Sequence, residues 1–299
     1  MTDSQSRPPL FLRGRELRPS PARPLVIGIV NASPESFSDG ADVGGVDDQV
    51  ARGLAMRGAG ADLVDVGGES GVTDLPAVSV DEEIARVVPV VHRLAREGVL
   101  VSVDTWKGDV ARAAVRAGAV MVNDVSGMSD PGVADACAST GAGLVITHTR
   151  ARPKEKAFPR YEDVVADVVA LLRERMGSAI ELGVHREQLV LDPGPDLAKT
   201  PADTIALLRA LPEVAALGRP LLLAASRKDF VGALTGRAPR DRLAGTLAAI
   251  GAGLDLGASI LRVHDVAATA DYLAVRAALR GEVEVDPDLR LDPGLRRTV

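Results

Sequence analysis

In the stretch LVLDPGPDLAKT, Leu189, Val190 and Leu191 run into Asp192, Pro193 and Gly194 end the run, and Lys199 follows on the loop. A bare buried charge is costly, so Asp192 needs a partner or water. The arrangement recurs. Polar residues stand at or just past the end of nearly every apolar run: Asn31, Asp65, Asp104, Asn123, His148, Asp192, Ser226 with Arg227 and Lys228, and Arg262 with His264. Any one of them could cap a helix or close a turn. Capping does not call for His, Lys and Arg at strand ends, so the set as a whole points to a site. Asp104, Asn123 and Asp192 offer acceptors and an amide, which suit a flat nitrogen heterocycle with several N–H donors. Lys228, Arg262 and His264, with Asn31, suit a polyanion, because charge-assisted contacts to phosphate oxygens are strong and directed. A ligand with both a heterocycle and a pyrophosphate would satisfy the entire rim.

The elements that must position these residues are legible as an alternation. Short Val/Ile/Leu-rich runs (PLVIGIVN, ADLVDVGG, VLVSVDT, AVMVNDVS, GLVITHT, LVLDPG, PLLLAAS and SILRVHDV) are separated by amphipathic segments such as DEEIARVVPVVHRLAREG. This is the pattern of strand–helix repeats around a parallel sheet. Apolar character on both faces and eight repeats favour a closed (β/α)8 TIM barrel in a single α/β domain. The alternative, an open doubly wound sheet, lacks its Gly-x-Gly-x-x-Gly turn after the first strand. The expected boundaries are a tail over 1–23, the barrel over 24–280 and a second tail over 281–299.

Composition narrows the partners. The chain has 299 residues, a formal net charge of -6 and 2% aromatic residues. That gives neither the basic footprint nor the stacking surface that nucleic acid needs. The first residues lack the apolar run of a signal peptide, and the most membrane-like stretch, LAGTLAAIGAGLDLGASIL, is interrupted by Asp255 and reads as a helix and a strand. A cytoplasmic protein without membrane contact is expected. The single cysteine, Cys137, excludes an internal disulfide and reads as a small buried side chain. His92 and His185 read as surface residues, Trp106 as packing over the barrel mouth, and His148 equally as a structural bond or a substrate contact. No His/Cys cluster has zinc spacing.

The motifs IGIVNASPESFSDG, ADLVDVGGES, VSVDTWK, AVMVNDVSG, LDPG, AASRKDFVG and LRVHDV resemble, in order and spacing, those of dihydropteroate synthases, over about residues 24 to 280. The resemblance implies a (β/α)8 barrel, commonly a homodimer, that joins 6-hydroxymethyl-7,8-dihydropterin pyrophosphate to p-aminobenzoate with the help of Mg2+. By position, Asp104, Asn123, Asp192 and Lys228 match pterin contacts, and Asn31, Arg262 and His264 match pyrophosphate contacts. Asp39 matches a residue that organises metal and pyrophosphate, so Asn31 and Asp39 are the metal candidates. Lys228, Arg262 and His264 would stabilise the leaving group, and loops 32–45 and 68–80 would fence the site. Mg2+ would arrive with the pyrophosphate rather than sit in a protein cage.

Several positions depart from the family pattern on the acceptor side. Leu197 stands where an aromatic residue usually packs against the aminobenzoate ring, with Asp196 and Ala198 replacing glycines. Asp229 follows Ser-Arg-Lys where Ser or Arg is common, and is expected to repel a benzoate carboxylate. GVTDLPAVS replaces a Thr-Arg-Pro-Gly loop; THT replaces Met-His-Met; Ala224 replaces a Gly. Four readings stay open: a fully active synthase, a paralogue that binds pterin with weak or lost synthase activity, a non-catalytic pterin-binding or interaction paralogue, and another pterin-dependent transferase.

Overall fold

The computed structural model describes residues 9–33, 44–70 and 76–295, and among the described residues there are ten strands and ten α-helices. Strands β1 (Leu10–Leu12) and β2 (Arg15–Leu17) form an antiparallel hairpin. The other eight are β3 (Leu25–Asn31), β4 (Leu63–Gly67), β5 (Leu100–Asp104), β6 (Met121–Asp124), β7 (Gly143–Thr147), β8 (Leu189–Asp192), β9 (Leu222–Leu223) and β10 (Ile260–Val263). They pair in the order β8-β7-β6-β5-β4-β3-β10-β9, parallel throughout. A parallel bridge from Leu191 to Leu221 joins the two ends, and Leu191 N–H donates to the Pro220 carbonyl at 3.0 Å. The expected single-domain (β/α)8 barrel is therefore the observed fold.

The helices are α1 (Val46–Gly58), α2 (Val80–Arg96), α3 (Gly108–Ala117), α4 (Pro131–Thr140), α5 (Val164–Glu181), α6 (Pro201–Arg209), α7 (Leu211–Ala215), α8 (Asp229–Thr235), α9 (Leu243–Asp255) and α10 (Val266–Leu279). Helix α2 shows why they form where they do. Ser79 caps it by accepting from Glu82 N–H at 3.2 Å, acids fill its first turn, and Val87, Val90, Val91 and Leu94 recur on one buried face. That face packs on outward residues of the barrel such as Val64, Val66, Val101 and Val103. Strands covered by helices outside and by one another inside read as unbroken apolar runs.

The amino-terminal end of the barrel is sealed by the hairpin. Its two-residue turn puts Arg13 at φ 50° and Gly14 at φ 81°, the left-handed pair that a tight hairpin favours. Leu10 and Leu12 are fully buried against Ile27, Leu63, Met121, Val145, Val190 and Ile260. Gly143 is needed there, because a Cβ would collide with Leu12 Cδ2. Arg219 ties the approach down by donating to the carbonyls of Leu189 at 3.0 Å and Pro9 at 3.1 Å. Leu10 and Leu12, in a segment expected within a tail over 1–23, thus pack into the barrel's core, while residues 13–16 of the same hairpin are exposed. LFLRGREL is too short to show a periodicity, and only tertiary contact gives its leucines a place. Past α10 the chain is exposed over residues 281–292.

Candidate active site

Side chains along a strand alternate between faces, so residues two apart share the barrel interior. Near the sealed end that interior carries Leu63, Met121, Val145, Val190 and Ile260. Two residues further along the same strands it carries Asp65, Asn123, Thr147, Asp192 and Arg262. The change from apolar to polar within one repeat of the alternation builds the floor of a site at the carboxyl ends, where barrels of this kind place their chemistry. Strand register sets Asp65 beside Ser102, Asp104 beside Asn123 and Thr147 beside Asp192.

Asp65, Asn123, Thr147 and Asp192 are all buried. Among the described residues, Asp65 Oδ1, Asn123 Oδ1 and Thr147 Oγ1 have no hydrogen-bond partner. Buried polar atoms are nearly always paired, so three orphans in one layer mark a place for the donors of a ligand. Asp192 Oδ1 accepts from Gly194 N–H at 2.7 Å. Burial raises the Asp192 carboxyl above its usual range, opposed by that bond and by the charges of Lys228 and Lys199. Asp104 is pushed up to about 7 by burial, opposed by Arg262 and assisted by Asp65.

Arg262 occupies the centre of the floor. Its Nε donates to Asp65 Oδ2 and its Nη2 to Asp104 Oδ2, both at 2.7 Å. Burial opposes its charge, but Asp65 and Asp104 outweigh burial and hold the guanidinium above its usual range. Arg262, expected on the pyrophosphate side, therefore spans to Asp104, expected on the pterin side. Asp65, seen in the sequence only as one strand end among several, shares the same guanidinium. On the neighbouring strand end Ser226 Oγ accepts from His264 N–H at 3.2 Å and lies 3.0 Å from His264 Nδ1. Arg227 adopts φ 58° and pairs with Asp265 at 2.7 Å. Lys228 stands at the N-cap of α8. Burial draws its ammonium below the usual range, and Asp196 and then Asp192 oppose the effect.

Of the two metal candidates, Asn31 ends β3 and Asp39 lies outside the described residues. Among the described residues no group of three or more His, Cys, Asp or Glu side chains could hold a metal ion. The amide oxygen of Asn31 is a hard donor of the kind Mg2+ accepts. One such ligand fits an ion carried mainly by phosphate oxygens.

The loop after β8 is more tightly built than the sequence suggests. Asp196 and Ala198 adopt φ 62° and φ 52°, left-handed values at the two positions where the family pattern has glycine. The strain is held by bonds: Asp196 N–H donates to Thr204 Oγ1 at 3.1 Å, Thr204 Oγ1 donates to Asp196 Oδ1 at 3.0 Å, and Phe230 N–H donates to Asp196 Oδ2 at 3.1 Å. Tyr161 Oη donates to the Ala198 carbonyl at 2.9 Å. Lys199, 1% exposed, donates to the carbonyls of Gly194 at 3.0 Å and Leu197 at 3.1 Å, and meets His148 Nδ1 at 2.8 Å. Burial lowers Lys199 to about 7. Sequence reasoning missed this role, since a lone loop lysine reads as solvated.

His148 has both ring nitrogens engaged, Nδ1 by Lys199 and Nε2 by Asp167 at 2.9 Å. Its two alternatives resolve to a structural bond, and burial lowers it to about 4. Leu197 is half-buried beside this network. The Asp229 carboxylate bonds Arg242 Nη1 at 2.9 Å, and its side chain is 88% exposed. Pairing and exposure both weaken the repulsion such a carboxylate can exert. Trp106 is partly buried, with Lys107 Nζ 5.2 Å from its ring centroid. Cys137 is buried, and burial pushes its thiol above the usual range.

The pterin-binding enzyme family model matches residues 27–264. The dihydropteroate synthase of Mycobacterium leprae (strain TN) is 46% identical over 264 residues, 85% of this chain and 92% of that protein. That of Escherichia coli (strain K12) is 39% identical over 268 residues, 89% of this chain and 94% of that protein. Among solved structures, Xanthomonas albilineans dihydropteroate synthase with 4-aminobenzoic acid is similar with a TM-score of 0.83 and 45% identity, over 92% of this chain and 98% of that one. The same enzyme in complex with 7,8-dihydropteroate gives a TM-score of 0.81 and 44% identity, over 91% and 99%.

Proposed function

The chain belongs to the dihydropteroate synthase family of pterin-binding enzymes, and on that premise we propose that it is a transferase joining 6-hydroxymethyl-7,8-dihydropterin pyrophosphate to p-aminobenzoate. The acceptor side binds weakly in this reading. The observation that carries the reading is the set of orphaned acceptors on Asp65, Asn123 and Thr147 beneath Arg262. Ring N–H donors of a pterin would satisfy them and would also bond the carboxylates of Asp104 and Asp192. Arg262, Lys228 and His264 would bind the pyrophosphate, with Asn31 at the edge.

In the reaction the pterin methylene–oxygen bond breaks with its electron pair going to pyrophosphate, the arylamine nitrogen bonds the methylene, and the nitrogen loses one proton to the released pyrophosphate or water. Positive charge develops on the methylene and negative charge on the leaving group, so the cations of this chain favour the transition state. A neutral arylamine needs no strong base, and the buried thiol of Cys137 is out of reach as a nucleophile. Asn31 and Asp39 would hold a Mg2+ arriving with the pyrophosphate, and the ion would supply positive charge that offsets the charge developing on the leaving group. Weak acceptor binding is supported by Leu197 in the aromatic position, which offers apolar contact without ring stacking. Assembly as a homodimer in the cytoplasm completes the reading. It is supported by Val275 and Leu279 on α10, which are 61% and 84% exposed, and by the absence, among the described residues, of a helix long and apolar enough to cross a membrane.

Calorimetric titration with pterin pyrophosphate and Mg2+, then with p-aminobenzoate, tests the proposal alongside an assay of pyrophosphate release. Saturable binding of the first ligand and slow turnover with the second are expected. No heat with pterin pyrophosphate would overturn the assignment, and binding without turnover would leave a pterin-binding paralogue.

A further inference from the structure

We propose that Lys199 is a positioning residue for the first substrate: it holds Gly194 in the turn after β8, and the N–H of Gly194 aims the Asp192 carboxylate. The inference rests on the reading above that Asp192 meets the pterin ring, and it assigns how that carboxylate is held.

Gly194 joins two contacts. Its N–H donates to Asp192 Oδ1 at 2.7 Å, and its carbonyl accepts from Lys199 Nζ at 3.0 Å. Its φ is 69°, and a Cβ there would collide with the His148 carbonyl, so the turn lies directly against the end of β7. His148 N–H donates in turn to the Asp192 carbonyl at 2.9 Å. The ammonium is itself placed by a chain of fixed groups. Arg150 Nε and Nη2 donate to the Asp167 carboxylate at 3.0 and 2.7 Å and hold its carboxyl below the usual range. An ionised Asp167 only accepts, so His148 Nε2, 2.9 Å away, carries the ring proton. Burial lowers His148 to about 4, which keeps the ring neutral and leaves Nδ1 as an acceptor. Lys199 Nζ then has three acceptors within 3.1 Å, His148 Nδ1 and the carbonyls of Gly194 and Leu197, for the three protons of an ammonium. An amine has two protons and must release one of them. Asp192, Asp167 and Asp203 favour the ammonium, Lys228 and burial disfavour it, and the balance lies at about 7. Loss of the proton therefore loosens Gly194 and also removes a positive charge that helps keep Asp192 ionised.

The probe is 6-hydroxymethyl-7,8-dihydropterin, which lacks the titrating pyrophosphate. Its Kd is measured by calorimetry at pH 6, 7, 8 and 9 with the wild-type protein, Lys199→Met, Asp192→Asn and the double variant. At pH 6 the wild-type protein should bind about tenfold more tightly than Lys199→Met, the scale of one charge-assisted hydrogen bond, and by pH 9 the advantage should fall to within about twofold. Comparison at each pH cancels Asp104 and the other groups common to both proteins. In the Asp192→Asn background Lys199→Met should add less than about twofold, because the lysine acts through that carboxylate. Tyr161→Phe, which removes the bond to the Ala198 carbonyl of the same loop, should leave the shape of the pH profile unchanged. An effect of Lys199→Met that is equal at every pH, or that adds in full to that of Asp192→Asn, would reduce Lys199 to a structural brace and overturn the inference. Equal affinities of the wild-type protein and Lys199→Met at pH 6 would overturn it too. Urea unfolding checks that each variant is folded; if Lys199→Met is not, Lys199→Gln, which keeps a donor without the charge, takes its place under the same expectations. Failure of the wild-type protein to bind the pterin at any pH brings down the transferase reading and the inference with it, whereas normal binding without a pH-dependent difference rejects the inference alone.

Discussion

Replacing Lys199 by Met should change how stability depends on pH more than it changes stability at any one pH. The ammonium is 1% exposed and meets two carbonyl oxygens at 3.0 and 3.1 Å and His148 Nδ1 at 2.8 Å. Burial outweighs these partners and lowers its pKa in the folded protein to about 7, against roughly 10.4 for an unfolded lysine. Between those values the unfolded chain binds the proton that the folded chain has lost, so stability rises with pH across that window. Below pH 7 both states are protonated, the full cost of burying the charge is present, and the dependence vanishes. From pH 7 to pH 9 the folded state gains about 2 kcal/mol from this one group, by integrating roughly 1.4 kcal/mol per unit over the fraction deprotonated. Met keeps most of the apolar stem and cannot titrate, so its variant lacks this gain. Urea unfolding of both proteins at pH 7, 8 and 9, with the difference taken at each pH, cancels groups common to the two. The wild-type protein should gain about 2 kcal/mol relative to Lys199→Met over the interval. A difference constant within about 0.5 kcal/mol would mean that Lys199 keeps its proton and that its carbonyl partners overcome burial.

Other residues give sharper functional readouts. Asp192→Asn should weaken pterin pyrophosphate binding about tenfold or more in calorimetry, since a hydrogen bond to a charged group contributes roughly 1.5 to 3 kcal/mol; an unchanged Kd would remove Asp192 from the site. Asp229→Ser should leave p-aminobenzoate affinity within about twofold, because the carboxylate it deletes is exposed and already paired with Arg242. Leu197→Phe should by contrast tighten acidic and neutral arylamines alike by about threefold to tenfold, the scale of a stacked ring. Leu12→Ala should cost about 2 to 5 kcal/mol in urea unfolding through the cavity left beneath the barrel, although the residue is remote from the site.

Much of the barrel was legible because its signals are local. Strands covered on both faces must be apolar, helices covered on one face must be periodic, and eight alternations leave few architectures. The polar residues at the strand ends could be read for the same reason: a charge at the end of a buried run needs a partner wherever the run goes. Asp104, Asn123, Asp192, Arg262 and His264 were identified by type and place before any geometry.

The sequence by itself therefore determined the barrel and its polar rim, since each follows from which side chains water will not accept. Only the tertiary structure decided how the charges are shared. Arg262 reaches Asp65 and Asp104 across 197 and 158 residues of chain. Arg242 pairs with Asp229, Lys199 turns inward onto His148, and Asp196 closes on Phe230 N–H 34 residues away. The hairpin leucines seal a barrel whose other contributors lie far along the chain. Alternation and propensity are properties of neighbours in sequence, whereas the pairing of a charge depends on which distant groups the closed barrel brings within about 3 Å.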